Sequence, residues 1–115
     1  VVDDHPAILR HVSSWVRATN IAEVVATSSS PREVPALWRD VRPDVTLCDV
    51  HMPDVDGLAL CQQLRAEHPD ARVLLFSARD DRTTRDAATG AGASGLVSKT
   101  ASPAELAAAL LASVE

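Results

Sequence analysis

Five short β-rich runs alternate with longer stretches of helical spacing along this chain. That alternation constrains the fold more than any other feature of the sequence. Residues 45–48 (Val-Thr-Leu-Cys) and 73–76 (Val-Leu-Leu-Phe) are apolar at nearly every position. Such runs suit strands buried on both faces of a parallel sheet better than half-exposed antiparallel strands. Val1-Val2 reads as the end of a first strand whose beginning is truncated. Residues 21–26 read as a second strand, and Leu96-Val97 as the last. Between the runs, Ile8, Val12, Trp15 and Val16 recur at helical spacing after Pro6, predicting a helix over residues 6–18. The same pattern predicts helices over residues 31–41, 57–68, 80–89 and from Pro103 to about Val114. Val34, Leu37, Trp38 and Val41 face inward in the second helix, and Leu60, Cys61 and Leu64 in the third. Only Ala87 and Ala88 are candidates for burial in the fourth, whereas Leu106, Leu110, Leu111 and Val114 line the fifth. Ser30 with Glu33, and Ser102 with Glu105, have capping-box spacing. Helical crossovers of about ten residues imply right-handed parallel connections. The predicted class is therefore α/β, a three-layer sandwich around a five-stranded parallel sheet.

Length and composition fit that class. The 115 residues suit one domain, read as spanning residues 1–115. An apolar content of 46% supports a sizeable core, which aliphatic side chains must fill because only 3% of residues are aromatic. The formal charge of −5 disfavours nucleic acid as the direct partner of this domain. Cys48 and Cys61 lie in apolar contexts without metal-ligand spacing and read as buried thiols of a reducing compartment, so the expected location is cytoplasmic. No apolar run approaches the roughly 18 residues of a membrane span.

In open α/β sheets, ligands gather beyond the carboxyl ends of the strands. The first run ends in Asp3-Asp4, the third in Asp49, the fourth in Ser77 and the fifth in Ser98-Lys99. Three carboxylates in one cleft repel one another unless a positive charge joins them. Mg²⁺, which takes oxygen ligands and keeps several waters, would satisfy them. Lys99, the sole lysine beside ten arginines, adds a second positive charge suited to phosphate oxygens. Ser77 can donate its hydroxyl proton to an incoming oxygen. The cleft therefore reads as a phosphoryl site, with Asp49 the best candidate for a carboxylate nucleophile. Each group also has a plainer reading, as helix cap, turn residue or solvated loop charge, and it is their combination that carries weight. His5, His11, His51 and His68 show no metal-ligand spacing.

These residues resemble the receiver domain of bacterial two-component response regulators, the CheY-like family. The resemblance rests on "VVDDH" at 1–5, "CDVHMPDVDG" at 48–57, "FSA" at 76–78 and "GASGLVSK" at 92–99, and it covers the whole chain. It implies a flavodoxin-like strand order 2-1-3-4-5. It further implies that Asp49 accepts a phosphoryl group from a sensor histidine kinase. Asp4 would bind Mg²⁺ directly, Asp3 through water or a longer contact, and the backbone carbonyl of His51 would be a further metal ligand beside Asp49. Ser77 and Lys99 would engage the phosphoryl oxygens, and Pro53 and Gly57 would shape the adjoining loop. The opening "DDHP" and the closing "SPAEL" are similar to the subfamily that carries a C-terminal LuxR-type helix-turn-helix domain. DNA would then be contacted only through that separate domain. A homodimer would use either the face of the fourth helix and fifth strand or helices one and five. The chain departs from the family at Leu96, three residues before Lys99, where Tyr or Phe is usual.

Two other function classes stay open on the sequence. One is a degenerate receiver that dimerises or binds protein without phosphorylation, for which Leu96 is the argument. The other is a small hydrolase or phosphatase using an aspartyl phosphate, which the His51 position disfavours because such enzymes carry a second acid there. No conventional enzyme is expected, only self-catalysed, Mg²⁺-dependent phosphotransfer and autodephosphorylation at Asp49. A nucleotide-binding domain would want a Gly-rich loop where Asp3-Asp4-His5-Pro6 stands.

Overall fold

The computed structural model describes residues 1–79 and 81–114. Three strands form a parallel sheet in the order β1 (Thr46–Asp49), β2 (Val73–Ser77), β3 (Gly95–Ser98). Leu47 pairs with Leu74 and Cys48 with Leu75, and on the other side of β2 Phe76 pairs with Val97 and Ser77 with Ser98. The alternation of side chains along these strands divides the core in two. Cys48, Val73 and Leu75 point to one face, where they pack with Trp38, Leu60 and Leu64. Leu47, Leu74 and Phe76 point to the other, against Val12, Val16, Leu106 and Leu110. Helices α2 (Val34–Val41), α3 (Gly57–Glu67) and α4 (Arg82–Gly90) supply the first layer, and α1 (Pro6–Ala18) and α5 (Pro103–Val114) the second.

The expected second strand is not formed as a ladder. Val2 makes isolated parallel bridges to Ser28 on one side and to Cys48 on the other. Val1 N donates to the Ala26 carbonyl at 3.1 Å, Ser28 N–H to Val1 O at 3.0 Å, and Asp3 N–H to Ser28 O at 3.1 Å. Pairing therefore falls on residues 26–28. Residues 21–25 belong to no strand or bridge among the described residues. Ile21 and Val25 are left exposed. They border, together with Leu111 and Val114, an apolar groove of about 470 Å³ that none of the strand-end carboxylates lines.

Helix boundaries follow local chemistry. The expected helix over residues 31–41 divides into a 3₁₀ turn, Pro31–Glu33, and α2. Pro35 has no N–H to return to Pro31, whose carbonyl instead accepts from Val34. The capping box expected of Ser30 and Glu33 is absent, because Glu33 accepts from the Ser28 hydroxyl at 2.7 Å. The box at the start of α5 is formed: Glu105 N–H donates to Ser102 Oγ at 3.1 Å and Ser102 N–H to Glu105 Oε1 at 3.4 Å. With Leu106 and Leu110 buried, the next position on that face is Ser113, which bonds Ser94 at 3.0 Å. Leu111 and Val114, expected inward, therefore face outward. Helix α4 buries only Ala88, and its N-cap is Asp81, whose carboxylate accepts from Thr84 N–H. The expected helix start at Asp80 lies outside the described residues. Among the described residues, no helix is long and apolar enough to cross a membrane.

Candidate functional site

The carboxyl ends of the strands bring four of the expected groups into one cleft. Asp49 is the last residue of β1, and its backbone N–H donates to Val2 O at 3.0 Å, which seats Asp3 beside it. Ser77 ends β2, and its carbonyl accepts from Lys99 N–H at 2.9 Å, which carries Lys99 over the same edge from the end of β3. Register thus does the positioning: four backbone segments in parallel present their side chains at one level.

Lys99 Nζ lies 3.2 Å from Asp49 Oδ1 and 4.0 Å from Asp3 Oδ2, and 5.2 Å from the centre of the Phe76 ring beneath it. Both carboxylates are almost wholly buried, whereas the lysine retains a quarter of its exposure. The ammonium therefore links the buried pair to the open side of the cleft. Asp49 Oδ1 also accepts from His51 N–H at 3.3 Å, which turns the chain sharply after β1. The Ser77 hydroxyl is buried and accepts from Arg79 N–H at 3.0 Å, so the chain beyond β2 is held by the group expected to meet an incoming oxygen. Leu96 is half-buried and packs on the core face that holds Leu75, below this edge.

Asp3 and Asp4 have less compensation than Asp49. Asp3 Oδ1 accepts from His5 N–H at 2.9 Å, but its Oδ2 has no hydrogen-bond partner although it is buried, and neither has Asp4 Oδ1. Burial pushes the Asp3 carboxyl above its ordinary range, with Asp49 and Asp4 adding to the rise and the His5 amide and Lys99 opposing it. These are the properties of a donor set that lacks positive charge. Two buried acceptor oxygens in a cluster of hard carboxylates fit a divalent cation with oxygen preference. Asp3, Asp4 and His5 each place one donor atom within 4.8 Å of the others, and Asp49 is not among them. His5 was not legible as a neighbour of this pair from metal-ligand spacing, and its only sequence signal is its place directly after the two acids.

The Asp3 environment has a sign that can be checked. A carboxyl whose folded-state value is raised binds its proton more tightly folded than unfolded. Its contribution to stability is complete below the ordinary carboxylate range and is lost as pH rises through the raised value. Asp3→Asn is therefore expected to stabilise the cation-free protein at neutral pH by about 1 kcal/mol, the low end for relieving an unsatisfied buried acceptor. The gain should shrink toward pH ~4, near the ordinary carboxylate range. Thermal melts in chelator at both pH values check this, and a less stable Asn variant at neutral pH would contradict it.

The loop after Asp49 is tied down at both ends. Arg32 grips Asp54 with two hydrogen bonds, of 2.7 and 3.0 Å, joining this loop to the 3₁₀ turn. Asp56 caps α3 by accepting from Ala59 N–H at 2.7 Å, and Gly57 N–H donates to Val50 O at 2.8 Å.

A sequence profile of the response regulator receiver domain matches residues 1–111. The chain belongs to the response regulator receiver domain family. Among its relatives is the DNA-binding transcriptional activator DevR/DosR of Mycobacterium tuberculosis, 37% identical over 96% of this chain and 51% of that protein. Another is a nitrate/nitrite response regulator homologue of Haemophilus influenzae, 34% identical over 90% of this chain and 50% of that one. The chain thus spans about half the length of the curated relatives it matches. Among solved structures, a LuxR-family two-component response regulator from Aurantimonas superposes with a TM-score of 0.88 at 32% identity, covering 96% of this chain and 79% of that one. Membership carries the role of a phosphoacceptor switch in a two-component phosphorelay. The parallel sheet flanked by helices is the receiver architecture.

Proposed function

We propose that Asp49 is the phosphoacceptor of this receiver domain and that Asp3 and Asp4, with Asp49 and the His51 carbonyl, hold the Mg²⁺ that transfer requires. The observation that carries the reading is the buried Asp49 at the end of β1 with Lys99 Nζ 3.2 Å from its carboxylate. In the transfer, a carboxylate oxygen of Asp49 forms a bond to phosphorus as the P–N bond of the kinase phosphohistidine breaks. The leaving imidazole keeps the electron pair and takes a proton. Mg²⁺ would offset the charge on the phosphoryl oxygens. Lys99 pairs with one of those oxygens, and Ser77 turns its hydroxyl to donate to another. These groups act by position and charge, which is how most phosphoryl transfer is catalysed. Borohydride reduction of the phosphorylated chain, followed by peptide mapping, should find the reduced residue at position 49 and nowhere else.

The proposal extends to the surroundings of the site. The sheet would follow the family order 2-1-3-4-5, with Val1 to Asp3 and residues 26–28 as the ends of its first two strands, a reading that the isolated parallel bridges from Val2 to Ser28 and Cys48 support. The protein acts in the cytoplasm, and a LuxR-type helix-turn-helix domain makes any DNA contact, a reading supported by one relative named as a DNA-binding transcriptional activator and by a similar structure of a LuxR-family regulator. A homodimer would use α4 and β3, or α1 and α5, the last of which exposes Leu111 and Val114. Sedimentation before and after phosphorylation tests the dimer, and an unchanged monomer would remove it.

A further inference from the structure

We propose that His5 is a cation-selecting residue, its imidazole joining Asp3 and Asp4 so that the pocket favours a borderline first-row cation such as Ni²⁺ over Mg²⁺. The proposal rests on the reading that the acidic pair holds a divalent cation. His5 Nδ1 lies 3.2 Å from Asp4 Oδ1 and 3.7 Å from Asp3 Oδ1. One donor atom from each of the three residues falls within 4.8 Å of the others, among the described residues the sole such group of three. Asp3 is fully buried, and neither its Oδ2, 4.0 Å from Lys99 Nζ, nor the buried Asp4 Oδ1 beside the imidazole has a hydrogen-bond partner, so the acids keep unmet acceptor capacity. The His5 backbone is fixed by its N–H bond to Asp3 Oδ1 and by Pro6, which starts α1. Its side chain is two-thirds exposed, so the ring lies on the solvent side of the acids, where an entering cation would meet it.

The donor set decides the preference. Carboxylate oxygens and water suit Mg²⁺, whose affinity for nitrogen is weak, whereas imidazole suits iron, nickel and zinc. Adding one imidazole to an all-oxygen site should therefore strengthen Ni²⁺ binding and leave Mg²⁺ nearly unchanged. A histidine that served only as a charge partner of Asp4 would affect both metals alike.

Calorimetric titration of the tag-free protein with MgCl₂ and with NiCl₂, at one pH above the ordinary imidazole range, separates these cases. Wild type is expected to bind Ni²⁺ at least about tenfold more tightly than Mg²⁺. His5→Ala should lose about tenfold or more in Ni²⁺ affinity and less than about twofold in Mg²⁺ affinity. His11→Ala, on the exposed face of α1, should match wild type for both. Ni²⁺ should also broaden the His5 ring resonances before those of His11. An unchanged Ni²⁺ affinity in His5→Ala, or an equal loss for both metals, would overturn the assignment while leaving the Mg²⁺ reading intact. Failure of wild type to bind either metal would overturn the cation reading itself.

Discussion

Gly57→Ala is expected to destabilise the protein by at least about 4 kcal/mol, a large effect for one methyl group and a large share of a typical domain's stability. A Cβ at this position would overlap the backbone carbonyl oxygen of Asp49 and stand 2.9 Å from its carbon and 3.0 Å from Val50 Cα. These neighbours are main chain at the end of β1, so no side-chain rotation relieves the contact. Either the first turn of α3 moves off the sheet or the end of β1 shifts. The first breaks the 2.8 Å bond from Gly57 N–H to Val50 O, and the second displaces Asp49 itself. Chemical denaturation of the variant measures the effect. A loss below about 1 kcal/mol, within the ordinary run of substitutions, would mean that α3 does not press on the end of β1 as described. Gly90, with open space around its Cα, provides the control, since an added methyl there meets nothing.

Lys99→Ala is expected to slow phosphoryl uptake from a small phosphodonor on the order of 10²- to 10³-fold, the usual cost of deleting one preorganised charge from a phosphoryl or oxyanion site. The argument is electrostatic. Lys99 Nζ lies 3.2 Å from Asp49 and 4.0 Å from Asp3, and both carboxylates are buried where charge interactions are poorly screened. Without it, the donor's phosphoryl oxygens approach a cleft whose net charge is more negative. Lys99→Arg should recover only part of the rate, since a planar guanidinium does not replace a compact ammonium at a 3.2 Å contact. Uptake at the wild-type rate in Lys99→Ala would make the Lys99–Asp49 contact purely structural.

Much of this site was legible because its residues stand at places where a sequence is easiest to read. Asp49 and Ser77 each terminate an apolar run, and a parallel sheet has to bring such ends to one edge. Lys99 follows the weaker run at Leu96-Val97, yet the same rule places it. What was not legible depends on contacts between segments distant in sequence. Residues 21–25 have the composition of a strand, but a ladder needs a paired neighbour, which composition alone does not specify. Leu111 and Val114 fit an apolar stripe on α5 as well as Ser113 does, and only the docking of Leu106 and Leu110 chooses between the two. Ser28 takes Glu33 from Ser30 because the bridge to Val2 fixes its backbone, a tertiary constraint that capping preference does not contain. The Arg32–Asp54 clamp joins residues 22 positions apart, with nothing in either local pattern to announce it.

The central claim is that this receiver domain takes a phosphoryl group on Asp49 by a cation-dependent reaction. Intact-mass measurement after incubation with acetyl phosphate tests it most directly. Wild type with Mg²⁺ should gain one phosphoryl group, and little or none in chelator. Asp49→Asn should gain none under either condition. A gain that persists in Asp49→Asn, or no gain by wild type with Mg²⁺ at saturating donor, would contradict the account.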